Sequence, residues 1–156
     1  KKPLIAAVDG IAIGGGATIL LHFDAVFISP NAKVKYPFSD LGLAPEVGSS
    51  LLLFQSLGYQ KAAQLLFGAE WISGKEYFDF GMAKYLGEDY YDKAIDYAHQ
   101  LNEQSLASII ETKAILKSFN SDALAAARDL ETKAMKRLYG SEDNIKAIEK
   151  FFSRKG

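Results

Sequence analysis

Three consecutive glycines, residues 14–16, join an apolar stretch to a helix-like stretch, and this junction is the part of the sequence best suited to chemistry. Glycine lets a ligand approach the backbone closely, and the first N–H groups of a helix have no intrahelical acceptor. Such groups can bind an oxygen that carries or develops negative charge. The glycines therefore predict an oxyanion site. A tight turn, or close packing of a helix on a strand, would need the same residues, and the triplet alone does not choose between these roles.

The elements around the glycines predict an α/β fold. Short apolar runs bounded by turn residues predict strands at residues 3–8, 24–29, 32–36 and 82–86. Helical spacing and stop signals predict helices at residues 45–57, 59–67 and 73–80. Because strands and helices alternate here, we expect the glycine junction to lie in an α/β core.

Two of these helices have recognisable first residues. Pro45 would occupy the first helical position, and Glu46 beside it would stabilise the positive end of the helix dipole. Gly58 would end that helix. Ser73 and Glu76 have the spacing of a capping box.

The pattern from about residue 90 onward is helical throughout. Apolar residues recur at spacings of three and four along two stretches, namely Ala94, Ala98 and Leu101, and then Ala123, Ala127, Leu130, Ala134 and Leu138. We therefore divide the chain into an α/β core over residues 1–88 and a helical region over residues 89–156.

Composition narrows the classes of function. The 156 residues carry a net charge of −1, 49% of them are hydrophobic, and none is cysteine. A disulfide framework, a thiolate nucleophile and a cysteine-ligated metal are therefore excluded, and with only His22 and His99 we expect no metal site. The near-neutral charge and the short apolar runs predict neither a nucleic-acid nor a membrane partner.

The chain opens inside an apolar strand. If the strand at residues 3–8 is central, it needs partners on both sides, and only a few short strands follow it. We therefore expect this chain to be the C-terminal part of a longer protein.

Three ordered motifs resemble those of the crotonase, or enoyl-CoA hydratase/isomerase, superfamily. They are KPLIAAVDGIAIGGG at residues 2–16, LGLAPEVGSS at residues 41–50, and ISGKE at residues 72–76 followed by GMA at residues 81–83. The similarity spans nearly the whole chain. It implies a crotonase-like α/β fold, a ββα spiral of which the N-terminal part is missing, followed by a C-terminal helical oligomerisation region.

The departures from this family bear on the reaction. Hydratases of the family place one glutamate two residues after the glycines and another in a Gln-Pro-Glu segment, whereas this chain has Thr18 and Phe38 there. Glu46 stands where the 3,2-enoyl-CoA isomerase branch, especially its peroxisomal type, carries its single acidic base. The resemblance therefore implies isomerisation of 3-enoyl-CoA to 2-enoyl-CoA in the β-oxidation of unsaturated fatty acids.

The resemblance implies further roles for residues of this chain. Gly15 is the match to one oxyanion donor, and the second donor would lie upstream of Lys1. The acyl-CoA thioester would contact a larger set of residues, comprising Ala12, Gly14, Gly16, Phe38, Leu43, Phe151, Arg154 and Lys155. No cofactor is implied, since CoA is part of the substrate. A homotrimer or hexamer is implied, assembled through the helical region.

Two alternatives to the isomerase remain open. One is a non-catalytic crotonase-like module that binds acyl-CoA or assembles with other proteins, and the other is a different crotonase reaction, such as hydration. Glu46 itself has the alternative role of stabilising a helix start. Residues 154–156 do not match a peroxisomal tripeptide, and we expect a bacterial cytoplasmic protein, with an organelle as the alternative.

Overall fold

Six short strands form two three-stranded sheets in the computed structural model, which describes residues 1–153. The first sheet is parallel and has the order β1 (Ile5–Val8), β3 (Ala25–Ile28) and β6 (Tyr85–Leu86). In the second sheet, β2 (Ile11–Ile13) pairs parallel with β4 (Lys33–Lys35), which pairs antiparallel with β5 (Ile72–Ser73). The four predicted strands are confirmed in shorter form, and β2 and β5 were not among them.

The middle strand of the first sheet is β3. All four of its residues are buried, as expected for a parallel strand that is covered on both faces. Within the described residues β1 lies at the edge of this sheet and pairs with β3 alone. Its residues alternate between buried and more exposed positions, and a central place for residues 3–8 in a longer protein stays a prediction.

Three α-helices and two 3₁₀ turns connect the strands. The glycine junction leads into α1 (Gly15–Thr18), which continues as a 3₁₀ turn at Ile19–His22, and a second 3₁₀ turn lies at Ser39–Leu41. Helix α2 spans Ser49–Gly68, and helix α3 spans Gly74–Asp79. The capping box of α3 is confirmed: its first amide groups are bound by the side chains of Ser73 and Glu76.

The start of α2 differs from the prediction. The helix begins at Ser49 and not at Pro45, because Val47 and Gly48 have positive φ angles of 59° and 79°, which a right-handed helix does not allow. The predicted end of the first helix at Gly58 is confirmed, because Gly58 has non-helical angles of φ 76° and ψ 167° and two helical segments of α2 meet there at a kink. Glu46 therefore lies before the helix, outside its first turn.

Four helices form the remainder of the described chain, as predicted. They are α4 (Tyr90–Asn102), α5 (Leu106–Ser118), α6 (Ser121–Leu138) and α7 (Glu142–Ser153). Helix α4 covers β1 and β3, α6 packs on α2, and α7 packs on the 3₁₀ turn at Ser39–Leu41. In residues 1–153 no helix is both long and apolar enough to cross a bilayer. The division at residue 88 stays a prediction.

The packed face of α6 differs from the predicted one. Ala123 and Leu130 are exposed in this chain, Leu130 to 67%, whereas Ala127, Ala134 and Leu138 are partly buried as expected. The residue of α6 that is buried is Glu131. A carboxylate therefore lies at the contact between α6 and the start of α2.

Candidate active site

The glycine junction is a closed turn between β2 and α1. Gly14 has φ 56° and ψ −121°, a conformation that is strongly disfavoured for residues with a Cβ atom. Its N–H donates to the carbonyl of Lys35 on the neighbouring strand at 3.1 Å, and its carbonyl accepts from Ala17 at 3.0 Å and from Thr18 at 2.9 Å. The turn therefore needs glycine at position 14 for backbone reasons.

The next two glycines present their amide groups differently. Gly15 and Gly16 occupy the first two positions of α1, where helix geometry offers an N–H group no acceptor. Neither residue carries a Cβ that would shield its N–H. These amides are the donors that an oxyanion could use.

The carboxylate of Glu46 lies beside this turn. A Cβ built on Gly15 would be 3.7 Å from Oε1 of Glu46, so the two residues are separated only by the space that a small group would fill. Glu46 is half-buried. The structure therefore brings together the base and the oxyanion donor named from the sequence. Glu46 does not lie in the first turn of α2, which begins three residues later, so it is not placed to stabilise the dipole of that helix.

Thr18 and Phe38 stand at the positions where hydratases of the family carry their two glutamates. Neither side chain can transfer a proton as a carboxylate does. Thr18 is fully buried, and its hydroxyl donates to the carbonyl of Gly15 at 3.1 Å. Phe38 is buried in the main hydrophobic core. Of positions 18, 38 and 46, all of which lie in the described chain, only position 46 holds a carboxylate.

A cavity adjoins Glu46, lined by residues of the turn at 45–47 and of α6. Its volume is about 420 Å³, which falls in the range of small-molecule sites. Helix α6 forms much of its wall. The lining residues other than Glu46 itself are Pro45, Val47, Arg128, Glu131, Thr132, Met135 and Lys136.

Comparison with known proteins identifies the family of this chain. The sequence model described as enoyl-CoA hydratase/isomerase matches residues 1–156. This chain belongs to the enoyl-CoA hydratase/isomerase family. The chain spans about 61% of the length of the first two curated relatives that it matches.

Three family members illustrate the range of similarity. A crystal structure of an enoyl-CoA hydratase/isomerase from Pseudoalteromonas atlantica superposes with a TM-score of 0.93 at 28% identity, covering 97% of this chain and 62% of that one. Enoyl-CoA delta isomerase 2 of Rattus norvegicus is 31% identical over 99% of this chain and 40% of its own length. The short-chain-enoyl-CoA hydratase of Clostridium acetobutylicum is 28% identical over 99% and 60%. Both reactions thus occur among relatives of similar distance.

The structures superposed on this chain show that it has the crotonase-like α/β fold of the enoyl-CoA hydratase/isomerase family.

Some of the residues assigned to acyl-CoA lie near the glycine turn. Ala12 is buried in β2, and Gly14 and Gly16 flank Gly15. The N–H of Leu43 donates to the carbonyl of Phe38 at 2.8 Å, so this loop is closed.

Phe151, which the resemblance assigns to acyl-CoA, lies apart from the glycine turn in a different cavity. Phe151 of α7 packs edge-on against Phe152, with ring centroids 5.7 Å apart. It lines a separate cavity of about 290 Å³ together with Ser39, Asp40, Lys146, Ala147 and Lys150. Arg154 and Lys155 lie outside the described residues. The structure therefore does not join Phe151 to Glu46 in one cavity, and its role stays a prediction.

Two tyrosines of the core are not further bases. Burial raises the pKa of Tyr36 well above its ordinary value, and burial raises the pKa of Tyr77 to about 12. Both therefore stay neutral near pH 7. Within residues 1–153 no three histidine, aspartate or glutamate side chains are grouped so that they could hold a metal ion.

Sequence reasoning missed Glu131, which binds the backbone beside Glu46. Its carboxylate accepts from the N–H of Gly48 at 2.7 Å and from the N–H of Ser50 at 3.0 Å. The signal was present in the sequence, because Glu131 stands between Ala127 and Ala134 at core spacing on an amphipathic helix. A charged residue at such a position needs polar partners, and those partners mark a site.

Proposed function

We propose that the protein containing this chain moves the double bond of a 3-enoyl-CoA thioester to the 2-position. The observation that supports this proposal is that the Glu46 carboxylate lies close to Gly15, with Oε1 3.7 Å from the place that a Cβ on Gly15 would occupy. Isomerisation needs one base and one oxyanion site, and Glu46 and Gly15 are the candidates for these two roles. Hydration needs a held and activated water, for which the family uses two carboxylates, and Thr18 and Phe38 replace them.

The reaction can be written with Glu46 as the only proton carrier. Its carboxylate removes a proton from C2 of the 3-enoyl thioester, and the electron pair moves to the thioester oxygen to form a dienolate. The carboxylic acid so formed returns the proton to C4. The electron pair then restores the thioester carbonyl, and the double bond lies between C2 and C3.

The amide of Gly15 would donate to the thioester oxygen while that oxygen is negative. A preorganised donor of this kind contributes about 3–4 kcal/mol to transition-state stabilisation in other enzymes. The cavity beside Glu46 would accept part of the acyl chain. The name of the rat relative, enoyl-CoA delta isomerase 2, supports the reaction class. A homotrimer or hexamer, and the absence of a cofactor, belong to the same proposal.

Isotope transfer tests this mechanism in the full-length protein. A 3-enoyl-CoA that carries deuterium at C2 is converted in ordinary water, and the product is analysed by mass spectrometry. Because one carboxyl group removes and returns the proton, we expect part of the deuterium to appear at C4. Conversion with deuterium entirely lost to water would argue against a single carrier. Absence of any conversion would reject the proposed function.

A further inference from the structure

The turn that carries Glu46 is strained. Val47 has φ 59°, a conformation that is rare for a β-branched residue and costs about 1–3 kcal/mol. Its side chain is 41% exposed, so burial of that side chain does not hold the conformation. Gly48 follows with φ 79°. A turn of this kind persists only when its surroundings hold it.

Two side chains from other elements hold this turn. The carbonyl of Val47 can only accept, so Nε2 of His22, at 2.8 Å, carries the proton and donates. On the other side, the carboxylate of Glu131 accepts from the N–H groups of Gly48 and Ser50 and, at 2.6 Å, from the hydroxyl of Ser50. We name these contacts the turn clamp. It holds the peptide unit between Val47 and Gly48 at both its carbonyl and its N–H, and it also holds Ser50.

The Glu131 half of the clamp is buried. Glu131 is only 7% exposed, and burial of a carboxylate is costly unless donors replace water. Three donors do so here, and hydrogen bonds to an ionised group are stronger than neutral ones. The amides also belong to the start of α2, whose dipole favours a negative charge. Glu131 thus serves as the cap of a helix distant from it in the chain.

Helix α6 also touches the turn directly. A Cβ on Gly48 would meet the end of the Leu124 side chain, which would have to shift, whereas the positive φ of Gly48 itself favours glycine. The groups that the clamp and this contact hold lie within four residues of Glu46. Any movement of the turn would therefore move the Glu46 carboxylate relative to Gly15.

We infer that His22 and Glu131 are positioning residues, which hold the strained turn so that the Glu46 carboxylate stays beside the amide of Gly15. The effect on rate rests on the proposed isomerisation, whereas the clamp itself is a property of the backbone. Misplacement of a reacting group by about 1 Å can lower a rate about 100-fold. The clamp would therefore act on kcat and much less on KM.

The first measurement is amide hydrogen exchange of the peptide over residues 44–53 in the full-length protein. Glu131→Ala removes the acceptor of two buried amides, so we expect their exchange to accelerate about 5- to 150-fold, as a loss of 1–3 kcal/mol implies. Glu131→Gln keeps the size and one acceptor oxygen and should show a smaller increase. Asp129→Asn is the matched control, because Asp129 lies on the exposed face of α6 and pairs with Lys133.

The second measurement is the kinetics of 3-enoyl-CoA isomerisation by the same variants and by His22→Leu. We expect kcat to fall about 100-fold for Glu131→Ala and about 10-fold for Glu131→Gln, with KM within about threefold of wild type. His22→Leu should lower kcat without affecting the exchange of the Ser50 amide. Asp129→Asn should match wild type in both measurements.

The outcomes separate the clamp from the reaction. Unchanged exchange in both Glu131 variants would overturn the clamp, and fast exchange with kcat within about threefold of wild type would overturn its positioning role. Should Glu131→Ala fail to fold, the isosteric Glu131→Gln and His22→Leu decide the same question. A wild-type protein without isomerase activity would reject the proposed function, while the exchange data still decide whether the clamp exists.

Discussion

The two segments that meet in the candidate active site keep their shapes by different means. The glycine turn at residues 14–16 is closed by nearby backbone groups, since two amides of α1 bond back to the carbonyl of Gly14. The turn at residues 46–50 depends on His22 and Glu131, which reach it from other elements. Gly14 also bonds to Lys35 on β4, and the N–H of Ser49 donates to the carbonyl of Glu46, so local bonds predominate in the first turn and distant side chains in the second.

This difference predicts unequal sensitivity to change. A locally closed turn tolerates movement of distant helices, because its own hydrogen bonds move with it. A turn held by distant side chains keeps its geometry only while those helices stay in place. The oxyanion donor should thus be robust, and the base should be the part of the site that is lost first.

The largest effect is expected from removing the base itself. Glu46→Gln keeps the shape of the side chain but cannot accept the C2 proton, so we expect isomerisation to fall about 1000-fold, or about 4 kcal/mol, with unchanged thermal stability. The rate of 2-enoyl-CoA formation from a 3-enoyl-CoA is the measurement. Glu103→Gln, an exposed residue at the end of α4, is the control. Retention of more than about a tenth of the wild-type rate would reject Glu46 as the base.

A second effect concerns a reaction that the site should not perform. With Thr18 and Phe38 in place of two carboxylates, we expect hydration of a 2-enoyl-CoA to be at least about 100-fold slower than isomerisation. Both rates are measured on one preparation of the full-length protein. Hydration with a turnover of about 10 per second, a typical enzyme value, would show that the assignment is wrong.

Two alanine substitutions separate the roles of neighbouring glycines. At Gly15 a methyl group would enter the space before Glu46, so we expect activity to fall about 10- to 100-fold while stability stays level or rises by about 0.5–1 kcal/mol. At Gly14 nothing lies within 4 Å of the added group, yet its positive φ should cost about 1–3 kcal/mol of stability. Thermal unfolding and the isomerase assay together check the pair, and equal profiles for the two variants would contradict it.

The smallest effect is expected at the capping box, a purely local device remote from Glu46 in the chain. Ser73→Ala should lower stability by about 0.5–2 kcal/mol and leave isomerisation unchanged. The pKa of Glu76 is lowered mainly by the hydrogen bond from the backbone N–H of Ser73 and, to a smaller extent, by the one from its hydroxyl. A carboxyl group whose pKa is lower in the folded than in the unfolded protein stabilises the fold at pH values above its unfolded pKa. This stabilisation is lost as the pH falls through the folded pKa. The difference between variant and wild type should therefore narrow in acid, as unfolding at several pH values would show.

The sequence predicts well those features that depend only on residues close together in the chain. Ser73 and Glu76 specify their helix start by spacing alone, and the structure confirms it. The start of α2 could not be predicted in this way, because Val47 adopts a positive φ only with help from His22 and Glu131. Local propensity contains no information about such distant partners.

The same reasoning explains the errors in the sheets. Strand β5 has two residues, and its pairing with β4 across a long stretch of chain leaves no periodic pattern to detect. Strand β3 could have been recognised as the middle strand from its uninterrupted apolar run, which is the pattern of a buried parallel strand. The meeting of Glu46 and Gly15, by contrast, needed the family resemblance as well as the spacing.

The capping of α2 by Glu131 restricts how the helical region can change in length. Successive residues of an α-helix are rotated by about 100°, so one residue inserted between Ser121 and Glu131 would turn the carboxylate away from the amides it binds. An insertion in the turn that precedes α6 would leave the helix in register and should be absorbed as added loop. Relatives and designed variants should therefore differ in loop length near residue 120, while the first half of α6 keeps a constant number of residues.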